Sequence, residues 1–379
     1  MNSLFSFAKK NTITSFNEID PNHLKIAILS QNAVNKSVGV DIPDIISVEP
    51  DVYIEMTQED TRTNAFGNFD TLVKKTFIDT FSDKKTVVSM LPYSPRNMVM
   101  KMFLSGGVVA SGDVKIETGK IAVNKDTGNI ESIITPLVTK GGVYIKLTVP
   151  GHKSILFLNM HLPMKKIKDS QGVVTDDLGY ETRKLALQNI LNKLVTDGTL
   201  DKETTLVAGG DLNFRITHEG KDQLSEFLKE KITLDSRLHE VRELEFLNDD
   251  DKKFTCKFDQ PDETCRETVE PPSIDTASAS PEDIKAVEVV QTTCGNSERF
   301  PSRCDRFIVS ESNTGSITVD AHKGHFFRDI KSDHNAIYSV IKVNDPVGTA
   351  YLGGKRKSRK TKRSKKSKKV NKKSRKSKN

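Results

Sequence analysis

The sequence predicts an α/β fold, a four-layer α/β sandwich of two packed, mostly antiparallel sheets with helices outside. Three observations lead there. Short apolar or alternating runs bounded by Gly- and Asp-rich turns greatly outnumber the stretches with helical spacing. No tandem repeat is present, which leaves packed layers as the way to bury so many strands. Polar residues of a few recurring kinds stand at the edges of the strand-like runs. The chain has 379 residues, enough for one large domain or two ordinary ones. The runs extend through residues 23–345, which predicts one domain there. Residues 1–22 are expected to be a loose lead-in, and residues 346–379 a disordered basic tail.

In chain order, Leu24 to Leu29 is an apolar strand running into Ser30-Gln31-Asn32. Residues 50–59 alternate apolar and polar and end at Gln58-Glu59. Further strands are expected at Val87 to Met90, Met98 to Leu104, Val108 to Ala110, Val114 to Ile116 and Ile130 to Val138. Gly141 to Val149 and Ser154 to Leu158 read as a hairpin around Pro150-Gly151, and the second strand leads into Asn159-Met160-His161. Residues 180–196 carry apolar positions at helical spacing, and 221–230 and 235–247 are expected to be helical too. Leu206 to Ala208 is a buried strand that Gly209-Gly210 is expected to end. Residues 259–297 shift to Pro, Ser, Thr and acid, which predicts a long acidic loop. Strands resume at Arg306 to Val309, Ser316 to Val319 and Ala336 to Val343.

The formal net charge of +7, from 58 basic and 51 acidic residues, hides an asymmetry. Residues 355–379 hold 16 of the basic residues and no acid, so the remainder is acidic, with a net charge of −9. A body of that sign is ill suited to broad contact with a phosphate backbone. A tail of this kind binds nucleic acid, an anionic membrane surface or an import receptor. No apolar stretch approaches the roughly 20 residues of a membrane span, and Met1 to Phe16 is too interrupted by Lys and Asn for a secretory signal. The expectation is an intracellular, monomeric protein, cytoplasmic or membrane-peripheral, with nucleus or virion as further compartments. The four cysteines, at 256, 265, 294 and 304, form no C-x-x-C pair, and free thiols are expected.

Six polar signatures stand at the edges of the apolar runs. They are Gln31-Asn32, Gln58-Glu59, Asn159-x-His161, Gly210-Asp211-x-Asn213, Cys304-Asp305-Arg306 and Ser332-Asp333-His334. Taken singly, each reads equally well as a turn, a surface acid or a core histidine. Together they suit metal-assisted attack on phosphorus. One carboxylate, Glu59, can hold a hard cation such as Mg²⁺. A second, Asp211, can take a proton from water. Two histidines can donate to phosphoryl oxygens as charge develops, and an Asp against one imidazole would orient it.

These signatures resemble the endonuclease/exonuclease/phosphatase superfamily, and within it the inositol polyphosphate 5-phosphatases. The branch motif Gly-Asp-x-Asn-(Tyr/Phe)-Arg reads Gly210-Asp211-Leu212-Asn213-Phe214-Arg215 here. Its Pro-(Ala/Ser)-Trp-Cys-Asp-Arg motif reads Pro301-Ser302-Arg303-Cys304-Asp305-Arg306. The resemblance spans residues 23–345 and implies a Mg²⁺-dependent phosphoric monoester hydrolase acting on a phosphoinositide or inositol phosphate. By position, Asp211 matches the general base and Asn213 a group placing water and phosphate. His161 and His334 match the histidines on the scissile phosphate, and Asp305 the partner of His334. Glu59 matches the metal ligand, with Asn32 beside it and Asp333 next to the site. Lys140 matches a lysine facing substrate phosphate, and Arg215 belongs to the branch motif. Arg306 matches a structural or phosphate-facing residue. Lys257, within Phe254-Thr255-Cys256-Lys257-Phe258-Asp259, and Arg299 match residues gripping a neighbouring 4-phosphate.

The chain departs from that pattern at three residues, and its segment between residues 259 and 297 is longer and more acidic than the family's pattern. Arg303 replaces the signature Trp and is expected either to add a phosphate contact or to be exposed. Cys256 replaces a Tyr and Thr139 an Asn. The acid, base and metal set is untouched, so these changes bear on substrate preference. A nuclease of the same superfamily and a non-catalytic polyanion-binding scaffold are the alternatives. The tail, Gly-Gly-Lys-Arg-Lys followed by Ser/Lys repeats, also resembles tails on proteins of large DNA viruses.

Overall fold

The computed structural model describes residues 19–33, 49–60, 81–90, 97–132, 139–164, 167–168, 174–175, 177–215, 222–229, 241–244, 303–310, 316–325 and 334–344. All lie in the first of two units, residues 1–346 and 347–379. The elements in chain order begin with β1 (His23–Asn32), β2 (Val52–Asp60), β3 (Phe81–Ser89), β4 (Asn97–Ser105) and α1 (Gly106–Ala110). Next come β5 (Lys115–Val123), β6 (Ile130–Glu131), β7 (Gly141–Thr148) and β8 (Ser154–His161). A small ribbon of β9 (Ile167–Lys168) and β10 (Val174–Thr175) precedes α2 (Asp177–Thr196), β11 (Thr204–Asp211), α3 (Gln223–Lys229) and β12 (Arg242–Glu243). The last are β13 (Asp305–Ser310), β14 (Ser316–His325) and β15 (Ala336–Asn344).

Two sheets carry the fold. The first runs β14-β15-β1-β2-β4-β3 and the second β12-β13-β11-β8-β7-β5-β6. Each holds one parallel pair, β1 with β2 and β8 with β11, and is otherwise antiparallel. The central strands are apolar without strict alternation because both of their faces are covered. In β8, Phe157 joins Ile26, Ile28, Ile54, Met100, Val207 and Phe307 between the sheets. Its neighbours Leu156 and Leu158 point the other way, against Leu187, Ile190, Leu191 and Leu194 of α2 and Phe227 of α3. Strand period two and helix period 3.6 thus meet on the outer face of the second sheet.

Four expectations are corrected. Val108 to Ala110 belongs to a short helix, because Ser105 caps it, accepting from the Val108 backbone N–H at 3.3 Å. Arg242 and Glu243 are not helical but form an edge strand paired with Val309 and Ile308, so the sheet ladder overrides local helical spacing. Gly209 and Gly210 do not end their strand, which continues to Asp211. Their lack of a side chain serves close packing instead. A Cβ at Gly209 would lie 2.3 Å from the Phe307 ring, and one at Gly210, where φ is +126°, would lie 2.0 Å from the Met160 carbonyl. Cys304 is disulfide-bonded rather than free; the other three cysteines lie outside the described residues. Strand β6 covers Ile130–Glu131, and residues 133–138 of the expected strand lie outside the description.

Candidate active site

Register brings the polar strand ends to one end of the sandwich. Asp211 pairs with His161 across the parallel β8–β11 ladder and with Asp305 across the antiparallel β11–β13 ladder. His161 pairs in turn with Gly141, next to Lys140. In the other sheet, Asn32 pairs with Gln58, next to Glu59. The two sheets are pinned together at this end by side-chain amides. Gln58 Nε2 donates to Asn159 Oδ1 at 2.6 Å, and Asn159 Nδ2 donates to the Thr57 and Val99 carbonyls at 3.0 and 2.8 Å. Asn159 and Gln58 stood in the strand-end signatures without a role; their work is to set the spacing of the sheets.

Asp211 is the centre. Its Oδ2 accepts from Asn32 Nδ2 at 3.0 Å, and lies 3.4 Å from His161 Nε2 and 4.0 Å from His334 Nε2. Its Oδ1 accepts from the Asn213 backbone N–H at 3.1 Å. Burial alone would raise this carboxyl. The hydrogen bond from His161 and the charges of His334 and Lys140 outweigh burial and hold it well below the usual carboxylate range, so Asp211 is an anion at neutral pH. Burial first and the Lys140 ammonium second push His161 below its ordinary value. His161 is therefore neutral, and its Nε2 meets Lys140 Nζ. His334 presents its other nitrogen, Nδ1, to Asp305 Oδ2 at 2.7 Å. That contact fixes the ring orientation and leaves Nε2 directed at the Asp211 side.

Asn213 sits in the left-handed region, φ +56°. Its Nδ2 donates to the Leu162 carbonyl at 2.9 Å, while its buried Oδ1 has no hydrogen-bond partner among the described residues. A buried acceptor of that kind is expected to meet a donor or a cation in the working site. Glu59, also left-handed at φ +51°, places its Oε1 3.9 Å from His161 Nε2 with a quarter of the side chain exposed. Glu59, Asn32 and Asn213 supply oxygen donors, which suits a hard divalent cation. Asp211, Asp305 and His334 also bring ligand atoms within 4.8 Å of one another. In that trio His334 Nδ1 is hydrogen-bonded to Asp305 Oδ2 at 2.7 Å.

Of the thirteen expected site residues, the structure gathers Asp211, His161, Asn213, His334, Asp305, Asn32, Glu59 and Lys140. Arg306 is corrected to the structural half of its expectation. Its guanidinium is buried and donates to Asp222 Oδ2 at 2.7 Å and to Glu243 Oε2 at 2.9 Å. Arg303 is not exposed but buried, in an ion pair with Glu243. Arg215 is fixed through its backbone N–H, which donates to Gln223 Oε1 at 2.9 Å. Lys257, Arg299 and Asp333 lie outside the described residues, as does the acidic loop. Sequence reading missed Asp222, Gln223 and Glu243. Asp222 had a signal, an acid just before a helix. Its Oδ1 accepts from the Leu224 and Ser225 N–H groups at 3.0 and 3.3 Å as the α3 cap.

Residues 29–340 match the sequence profile described as Endonuclease/Exonuclease/phosphatase family 2. The chain belongs to this family. Enzymes of this superfamily hydrolyse phosphate esters with a divalent cation. Among solved structures, the Cimex nitrophorin ferrous NO complex is similar at TM-score 0.51 and 15% identity, covering 86% of this chain and 100% of that one. TDP2 of D. rerio, complexed with single strand DNA product, is similar at TM-score 0.44 and 14% identity, covering 84% and 98%. A truncated TDP2 of Caenorhabditis elegans gives 0.42 and 13%, covering 84% and 97%. The nitrophorin likeness shows the fold alone, and the TDP2 scores carry no argument about chemistry. No curated protein sequence matches the chain. Function must therefore be argued from the site.

Proposed function

We propose that this member of the family hydrolyses the 5-phosphate of phosphoinositides or soluble inositol polyphosphates. One observation carries the reading. The two motifs that resemble the 5-phosphatase branch lie side by side, Asp211 opposite Asp305 in adjacent strands, and His334 bridges their carboxylates.

Water held at Asp211 and Asn213 attacks phosphorus in line with the inositol oxygen. Its proton passes to the Asp211 carboxylate, the P–O bond to inositol breaks, and the departing oxygen is reprotonated from solvent. His334, oriented by Asp305, and the Lys140 ammonium stabilise charge on the phosphoryl oxygens in a buried, low-dielectric setting. Glu59 with Asn32 would hold Mg²⁺, which supplies Lewis-acid stabilisation of the same charge when bound. Uncatalysed phosphate-monoester hydrolysis is among the slowest reactions known, so a full set of such groups is in keeping with the substrate. The acidic body supports an inositide over a polynucleotide. The basic tail would hold the enzyme at an anionic membrane surface, each Lys or Arg near the surface contributing about 1 kcal/mol.

The test is phosphate release from a panel of inositol phosphates, phosphoinositides and DNA with Mg²⁺. Release is expected from at least one inositol compound by the wild type and not by Asp211→Asn. Nicking of DNA with no release from any inositol compound would give the nuclease reading instead, and no turnover of either would give the scaffold.

A further inference from the structure

We propose that Glu243 is a positioning residue for the His334–Asp305 pair, acting through the two arginines that bracket Asp305. The proposal rests on reading the site as a phosphate-ester hydrolase, and it names a residue remote from the reacting atoms.

Asp305 opens strand β13, and its carboxylate must reach His334 Nδ1 at 2.7 Å. The residues on either side of it are tied down by charge. Arg306 Nε donates to the Arg303 carbonyl at 2.7 Å, which folds the 303–306 segment on itself. Arg306 Nη1 donates to both oxygens of Glu243, at 3.0 and 2.9 Å, and Arg303 Nη2 meets the same carboxylate. Arg306 Nη2 takes Asp222 at 2.7 Å, with Arg303 Nη1 3.9 Å from the same oxygen. Cys304, between them, accepts the Leu212 N–H at 2.8 Å, next to Asp211. Among the described residues, two guanidiniums, both at least nine-tenths buried, thus meet two carboxylates, and Glu243 is the one of these that both arginines share most closely.

The sharing gives Glu243 its leverage. Its removal would take from two buried cations the carboxylate that both contact. A buried charge stripped of its partner is strongly unfavourable, so the segment would shift to rehydrate one arginine. Asp305 lies within that segment. A small displacement weakens its bond to His334 and misplaces an imidazole whose value depends on alignment. Glu243 comes from β12, a two-residue edge strand otherwise remote from the chemistry.

The experiment compares Glu243→Ala and Glu243→Gln with Glu203→Ala, which removes a carboxylate of the same kind from an exposed pair with Lys153. Two readouts are taken on protein whose far-UV CD matches the wild type. The first is steady-state turnover of the inositol substrate found in the panel. The second is the downfield proton resonance of His334 Nδ1–H, assigned by its loss in His334→Gln. Glu243→Ala is expected to lower kcat about tenfold or more with KM within about twofold, and to lose or shift the resonance. Glu243→Gln, which keeps the acceptor but not the charge, is expected to fall between, and Glu203→Ala to match the wild type. The proposal is overturned if folded Glu243→Ala keeps kcat and the resonance, or if only KM rises. Should Glu243→Ala not fold, Glu243→Gln decides, and an unchanged kcat and resonance there overturns it. If the wild type turns over no inositol compound, the functional reading fails, and the resonance alone still tests the positioning.

Discussion

At the scale of single residues, the site is built around one anion, Asp211, kept charged by its neighbours and kept dry by the fold. Its ionised state follows from the hydrogen bond of His161 and the charges of His334 and Lys140. Replacing it with Asn keeps the shape and removes the proton acceptor. Asp211→Asn is expected to lower kcat by ~10²–10⁴ with little change in stability, measured as initial rates of phosphate release beside a melting curve. Asp305→Asn keeps a hydrogen-bond acceptor for His334 but removes the charge that favours its orientation, and a smaller loss of kcat is expected in the same assay. The polar residues around Asp211 were legible because each sits where an apolar run stops, and a polar group at a strand end is free to face a ligand. Glu243 and the burial of Arg303 were not legible. Their meaning lies in a pairing between residues 60 positions apart, which no local pattern announces.

At the scale of elements, strands β8 and β11 were readable from continuous apolar runs, since a strand covered on both faces has no polar side to show. The short pieces were not. A five-residue helix and a two-residue edge strand are decided by a cap and by a neighbouring ladder, so their own composition says little. The glycines before Asp211 illustrate the same limit: in sequence they read as a turn, and in the fold they are close-packing positions within a strand. Gly210→Ala would place a Cβ 2.0 Å from the Met160 carbonyl at φ +126°. It is expected to cost at least ~3 kcal/mol by strain and displacement, seen as a lowered midpoint in urea. His322 on β14 gives a second prediction. Burial, then the charge of Arg303, pushes it down to about 3 from 6.5. The unfolded chain therefore binds this proton first as pH falls. The stability it contributes is complete above about pH 6.5 and is lost toward pH 3, at up to about 1.4 kcal/mol per pH unit. His322→Asn, which keeps a donor for the Tyr338 carbonyl, is expected to show a shallower loss than the wild type across that window. Parallel slopes for the two proteins would contradict this account.

At the scale of the whole molecule, charge is divided between an acidic body and a basic tail, and the division has a consequence that turnover alone does not show. A chain truncated after residue 346 is expected to act on a soluble inositol phosphate at the wild-type rate. Its binding to vesicles containing anionic lipid is expected to fall by at least about tenfold at 0.1 M salt, measured by co-sedimentation. Equal sedimentation of both forms would separate the tail from membrane docking. A 5-phosphatase is defined by the position of the bond it cleaves. Phosphodiester and phosphomonoester bonds are both hydrolysed within this superfamily, and release of phosphate does not by itself say which phosphate of an inositol compound was cleaved. The most direct measurement is the structure of the product, by ³¹P NMR, after the wild type and Asp211→Asn are each incubated with an inositol polyphosphate and Mg²⁺. The 5-phosphate resonance is expected to disappear with the wild type and to persist with the variant; cleavage at another ring position, or none, would overturn the 5-phosphatase reading.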